Sequence, residues 1–293
     1  METLNIDHFK TAVSYLHLYR GETFVIRLKS EIIEDKALLH HFCEQVALLH
    51  LLGIRIVLVH GSASPVSKMS EKLHVETEAF QGRSIVSKED LEVFQMVSGK
   101  LNADLLAGLC KYKASAVGIS GVDGGLITAS KPSRINHITE DHQCRKIDFG
   151  FAGDLKNVNP ALIHYLLDGG FIPVVSPLGF DDEEDIYQLD ADEVAAELSV
   201  AMKAKKLIFM AEVDGVLKDS ADDTSLFAYI PLSEINDFIA LLEPSMVKKI
   251  RYCAIALNRG VSDVHVINGF KPNTLLIEIF TTKGAGTIIH KDR

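Results

Sequence analysis

Leu51-Leu-Gly-Ile-Arg-Ile-Val-Leu-Val-His-Gly61 carries the end of one element and the whole of the next. Upstream of it, Leu38, Leu39, Phe42, Val46, Leu49 and Leu52 recur at helical spacing, so Asp35–Leu52 reads as an amphipathic helix closed by Gly53. Ile54–His60 is then a nearly unbroken apolar run, the mark of a strand buried on both faces of a parallel sheet. Helix followed by buried strand is the repeating unit. Residues 88–112 lead to a strand at 116–119, 159–169 (opened by Asn159-Pro160) to 171–176, 190–204 to 206–210, and 247–258 to 264–267. A first strand is expected over 23–29, two late strands over Leu275–Phe280 and Gly286–His290, and a leading helix over 4–20 ended by Gly21. This alternation predicts the α/β class: a three-layer αβα sandwich around an open, mostly parallel sheet.

Composition narrows the function. The chain has 293 residues, 47% hydrophobic and 24% charged, which excludes a disordered, collagenous or repeat-dominated protein. A formal charge of −10 provides no basic excess to neutralise phosphates, so nucleic acid is not an expected partner. A single phosphate can still be held locally by backbone N–H groups. No basic segment followed by an apolar core opens the chain, and no apolar run is long enough to span a bilayer, so neither secretion nor a membrane is expected. Cys43, Cys110, Cys144 and Cys253 lack metal-ligand spacing; they read as free thiols in a reducing compartment, the cytoplasm, and no metal ligands are assigned. Asp181-Asp-Glu-Glu-Asp185 reads as a solvated hairpin tip.

Ligands of an open parallel sheet bind beyond the carboxyl ends of its strands. The segments in that position are Lys29-Ser30, His60-Gly-Ser-Ala-Ser-Pro65, Ser120-Gly-Val-Asp-Gly-Gly125, Pro177-Leu-Gly-Phe180 and Asp190-Ala-Asp192. So many small residues at one sheet edge point to a ligand cleft.

These segments also carry a resemblance. Leu51–Gly61, Ile119–Leu126, Gly150–Asp154, Gly170–Phe180, Leu189–Asp192, Lys205–Leu217 and Leu275–Thr287 follow, in order, the pattern of the amino-acid-kinase family. The chain resembles in particular its N-acetylglutamate kinase branch and the related amino-terminal domain of N-acetylglutamate synthases. The resemblance implies transfer of a phosphoryl group from ATP, with Mg²⁺, to the side-chain carboxylate of N-acetylglutamate, a step of arginine biosynthesis. It also implies a regulatory helix over 1–20, a substrate lobe over 21–180 and a nucleotide lobe over 181–293.

Residue by residue, Asp192 matches the family's organising aspartate, and Lys249 its second phosphate lysine, with Lys248 the alternative register. Arg27 stands where the family has the strand-one lysine, and Lys29-Ser30 where it has two glycines; Lys29 is the alternative clamp. His60 and Gly61 match the second loop, which the family continues with two more glycines where this chain has Ser62-Ala63; the resemblance implies substrate contacts at His60, Gly61 and Ser62. Arg83 is the candidate for the substrate α-carboxylate and Gln188 takes the place of a substrate-binding asparagine. Nucleotide contacts are implied at Glu212, Val213 and Gly215. Arginine-inhibited members, which are dimers or hexamers, imply an L-arginine effector site at Tyr15, Glu278, Gly284 and Gly286.

Three functions stay open at this point: an active kinase, a silent arginine-sensing domain, and a kinase of a different acylated amino acid. The sequence ends at Arg293, where the acetyltransferase domain of a synthase would start, so acetyl transfer by that route is not expected.

Overall fold

The structure, a computed structural model, describes residues 6–138, 144–218, 222 and 225–292. Leu4, assigned to the leading helix, lies outside them. That helix, α1, spans Ile6–Tyr19 and is followed by β1 (Thr23–Leu28), α2 (Ser30–Glu34), α3 (Lys36–Leu51) and β2 (Arg55–His60). The middle of the chain contains α4 (Ala63–Leu73), α5 (Lys88–Lys111), β3 (Ala116–Ser120), α6 (Ala161–Asp168) and β4 (Ile172–Ser176). The last third contains α7 (Ala191–Ala201), β5 (Lys206–Ala211), β6 (Tyr229–Pro231), α8 (Ile235–Ile239), α9 (Pro244–Asn258), β7 (Asp263–Asn268), α10 (Thr274–Phe280) and β8 (Gly286–His290).

Eight of these strands form one sheet in the order β6-β8-β7-β5-β1-β2-β4-β3. The six from β7 to β3 are parallel; β8 pairs antiparallel with β7 and carries β6 parallel to itself. Strand alternation sorts the side chains into two cores. Phe24, Ile26 and Leu28 of β1, with Ile56 and Leu58 of β2, pack under α3 and α5. Val25 of β1, Val57 and Val59 of β2, and Leu207 and Phe209 of β5 pack under α6, α7 and α9. Each such side chain, at or near zero exposure, contributes about 1.5–3 kcal/mol of transfer energy. A one-residue slip of register would invert both sets, which is why the register is tightly specified.

The helix starts are written locally. Asp35 caps α3 by accepting from the N–H groups of Ala37 (2.8 Å) and Leu38 (2.9 Å). Ser87 and Asp90 form a reciprocal capping box at α5. Gly53 closes α3 at φ +88°, where only glycine is unstrained.

Several expectations need correction. The apolar run Leu275–Phe280 is helix α10, not a strand. Its buried Leu275 and Ile279 are four residues apart, and the Gln45 side-chain oxygen accepts from the N–H groups of Leu275 (3.1 Å) and Leu276 (3.4 Å). A short apolar run does not separate the two periods, and this tertiary cap decides for helix. The first strand stops at Leu28, because Lys29 is already the extended N-cap of α2. Helix α4, directly after the second loop, has no counterpart among the elements expected from the sequence. A smaller four-stranded sheet, ordered 186–188, 178–180, 127–130, 154–158, closes over the carboxyl edge. The acidic run is the tip of its antiparallel 178–180/186–188 hairpin, as expected.

Candidate active site

Three charges meet at the carboxyl edge of β1. Arg27 is on the α7 side of that strand by alternation, Asp192 is in the first turn of α7, and Lys249 projects from α9. Arg27 Nε lies 2.5 Å from Asp192 Oδ1, an ion pair without hydrogen-bond alignment, and Lys249 Nζ donates to Asp192 Oδ2 at 2.5 Å. All three side chains are largely enclosed, at 14%, 17% and 16% exposure for Arg27, Asp192 and Lys249. Burial raises the Asp192 pKa, but Arg27 and Lys249 outweigh it and hold the carboxyl below its usual range. Two cations on one anion leave a net positive centre, the arrangement that stabilises charge building on a transferring phosphoryl group.

The two neighbouring lysines of α9 take different partners. Lys249 takes Asp192, while Lys248 pairs with Asp190, the N-cap of α7. Gly61 makes room for the arginine: a Cβ there would stand 3.1 Å from Arg27 Nη2.

A 460 Å³ cavity meets this centre at Arg27 and is lined further by Lys29, Gly61, Ser62, Gln188 and Asp190, among others. Lys29 reaches across to an ion pair with Glu212, beyond the end of β5. Ser30, where the resemblance called for glycine, needs no special backbone because it starts α2. His60 is placed differently from the substrate contact assigned to it. By alternation its side chain points to the α5 face, fully buried; its Nδ1 lies 3.2 Å from the Gly61 carbonyl and its Nε2 3.3 Å from Ser176 Oγ. Burial, aided by the charge of Arg27, lowers its pKa to about 4. The neutral ring therefore braces the loop from behind, and the cavity is lined instead by Gly61, Ser62 and Ala63.

A second cavity of 570 Å³ shares Ser84, Gln188, Leu189 and Asp190 with the first, so the two form one cleft. Arg83 sits in it, donating from Nη2 to the carbonyls of Ala152 (3.0 Å) and Gly153 (3.1 Å) and to Asp154 Oδ1 (2.8 Å). Val213 and Gly215 line a third cavity of 490 Å³ with Leu217, Leu242 and Met246, the last from the same α9 that carries Lys249. Glu212 is not on that lining; it holds Lys29.

Tyr15, Glu278, Gly284 and Gly286 do converge, on a separate 170 Å³ cavity beside α1. Glu278 pairs with His265 Nδ1 (2.5 Å) and accepts from the Ala285 N–H (2.5 Å). Lys206 Nζ lies 2.9 Å from His265 Nε2 and 3.6 Å from Asp263. Burial raises the Glu278 pKa, yet the His265 contact and the Ala285 N–H bring it below its usual value; burial lowers that of Lys206.

The sequence profile of the amino acid kinase family matches residues 22–268. The chain belongs to the amino acid kinase family. It is 38% identical over 285 residues to an acetylglutamate kinase of Halothermothrix orenii, covering 96% of each chain. It is 35% identical over 288 residues to one of Archaeoglobus fulgidus, covering 97% of this chain and 99% of that one. Among solved structures it is similar to N-acetylglutamate synthase of Neisseria gonorrhoeae, with a TM-score of 0.85 and 25% identity. That match covers 99% of this chain but only 64% of the synthase. The synthase has been solved with coenzyme A and N-acetylglutamate, and with coenzyme A and L-arginine.

Within this amino acid kinase fold, Lys206, His265 and Glu193 are buried or half-buried titratable residues to which the sequence pattern assigns no role. The first two were visible as charged residues at inward positions of otherwise apolar strands, Lys206-Leu-Ile-Phe-Met and Val264-His-Val-Ile. Glu193 follows directly on Asp192 and carried no signal beyond helix polarity.

Proposed function

We propose that the chain phosphorylates the side-chain carboxylate of N-acetyl-L-glutamate with ATP. The observation that carries this is the Arg27–Asp192–Lys249 centre, whose Arg27 lines a cleft continuous with the cavity of Arg83 and Gln188. Full-length kinase relatives support an active enzyme over a silent sensing domain.

The acceptor needs no general base, because a carboxylate with a pKa of about 4 is already ionised at neutral pH. One of its oxygens attacks the γ-phosphorus, the bond to the β,γ-bridging oxygen breaks, and ADP leaves with the electron pair. Catalysis is then a matter of alignment and of neutralising charge. Asp192 holds Arg27 and Lys249 in place as the two fixed cations. Ser62 and the open N-terminus of α4 offer backbone N–H groups to the moving phosphoryl oxygens, while the Gly61 N–H is held by the Leu28 carbonyl (3.0 Å). Lys29, on leaving Glu212, is a third cation at the mouth. Arg83 and Gln188 hold the α-carboxylate and amide of the substrate.

Val213 and Gly215 receive the nucleotide base, so the carboxyl half is the nucleotide lobe and 21–180 the substrate lobe. Mg²⁺ enters as part of MgATP. Among the described residues no group of three or more His, Cys, Asp or Glu side chains is placed to hold a metal, and Mg²⁺ is commonly held through substrate phosphates and water.

The cavity of Tyr15, Glu278, Gly284 and Gly286 is the L-arginine site, in which Glu278 receives the guanidinium. A cytoplasmic homo-oligomer completes the proposal; among the described residues no helix is long and apolar enough to cross a membrane. The test is ADP release with MgATP, with and without N-acetylglutamate, trapping the acyl phosphate with hydroxylamine. Acceptor-dependent ADP and hydroxamate are the expected result, and Lys249→Ala should lower both about 10²–10³-fold. Wild-type protein that binds neither ATP nor N-acetylglutamate would overturn the assignment.

A further inference from the structure

The Arg83 side of the cleft contains more negative charge than its cations can balance. Its lining includes the cations Arg83 and Lys248 and the carboxylates of Asp154, Asp190 and Glu193, three against two. Arg83 is engaged by Asp154, and Lys248 by Asp190. The Glu193 carboxylate is left over, half-buried, with no hydrogen bond or ion pair among the described residues. The groups facing it are Asp190 and Glu197 on α7, Asp154 on the 154–158 strand, Lys248 and Tyr252 on α9, and Arg83 on the 83–85 strand. Glu197 is itself occupied by Arg259.

N-Acetylglutamate enters this space with two carboxylates of its own. An ionised Glu193 would set a further uncompensated charge against it in a partly desolvated cavity, where like charges repel strongly. A protonated Glu193 removes that repulsion and supplies an O–H donor.

Resting on the kinase assignment of this cleft, we propose that Glu193 takes up a proton as the acylated amino acid binds, and that the resulting neutral carboxylic acid donates a hydrogen bond to a substrate oxygen. The proton comes from solvent. In the free protein, burial first and then Asp190, Asp154 and Glu197 push this carboxyl up to about 7, so the uptake falls within the working pH range. Glu193 is thereby a substrate-binding residue, distinct from the phosphoryl centre next to it.

The experiment is calorimetric titration of the full chain with N-acetylglutamate in buffers of different ionisation enthalpy, for wild type, Glu193→Gln and Glu193→Ala. At pH 8 wild type should take up about 0.9 proton more per site than the Gln variant, since a group with a pKa of about 7 is then mostly ionised. Wild-type affinity should fall about tenfold per pH unit above 8 relative to Glu193→Gln, which keeps a neutral donor throughout. At pH 6 the Gln variant should bind like wild type and the Ala variant about tenfold more weakly, for want of the donor. Equal proton uptake by wild type and Glu193→Gln overturns the inference while leaving the kinase assignment standing. Failure of wild type to bind N-acetylglutamate even at pH 6 overturns both.

Discussion

Asp192→Asn removes the anion between two cations and leaves the shape unchanged. Each contact, at 2.5 Å, amounts to about 7 kcal/mol of gross attraction at an effective dielectric of about 20. Desolvation of three mostly enclosed charges opposes much of that. The net loss on removing one member of a buried ion cluster, which leaves the others uncompensated, is about 3–5 kcal/mol. Native stabilities are about 5–15 kcal/mol, so the variant should fold but with a clearly lower denaturation midpoint. In this size range that is about 10 °C of melting temperature. The assay is urea denaturation of both proteins from pH 3 to 8, with ADP release alongside.

The pH dependence has a fixed sign. The Asp192 pKa is depressed in the folded protein, so its contribution is complete above the unfolded value of about 3.9 and is lost as pH falls through the lower folded value. The gap between wild type and variant should therefore be constant from pH 5 to 8 and close toward pH 3. Activity should drop about 10²–10³-fold, since Arg27 and Lys249 lose their common tether. A stability difference under about 1 kcal/mol at pH 7 would show the three charges to be screened like surface pairs, and the argument from burial would fail.

Gly61→Ala should displace the Arg27 guanidinium, 3.1 Å from the new Cβ, and lower kcat more than it changes stability, measured by parallel kinetics and thermal melts. Glu278→Ala should abolish calorimetric L-arginine binding and any inhibition by it while leaving uninhibited turnover intact; retained binding would move the effector site elsewhere. Leu58→Ala, in the core under α3 and α5, should cost about 2–5 kcal/mol with little change in KM for surviving folded protein, read by denaturation midpoints.

The strand order of the sheet is not visible in any window of sequence, but its elements are, because helical and strand periods differ wherever a face is polar. Legibility fails in two physical situations. Leu275–Phe280 is apolar enough to satisfy either period, and Gln45, far off in the chain, supplies the cap that makes it a helix. His60 was legible only in part. Its loop position pointed to the cleft, whereas the alternation of β2 places residues 56, 58 and 60 on one face, away from it.

The candidate site divides in the same way. Asp192 stands out in sequence in a segment that opens a helix at the sheet edge, whereas Lys249 is reached only through the family resemblance, with Lys248 as the alternative. That Arg27 rather than Lys29 meets Asp192, and that Lys29 instead bridges to Glu212, depends on β1 lying between β2 and β5.

The sequence by itself determined the α/β class, the alternation of buried strands with capped helices, and the small-residue loops at one sheet edge. These are properties of near neighbours: periodicity, caps and turn chemistry act over a few residues. Tertiary structure alone decided which charges neutralise one another, that two cavities join around Gln188 into one cleft, and that Glu193 has no ion pair among the described residues. Coulomb energy depends on distance through space, and the sheet order that sets those distances is fixed by packing both cores at once rather than by any single segment.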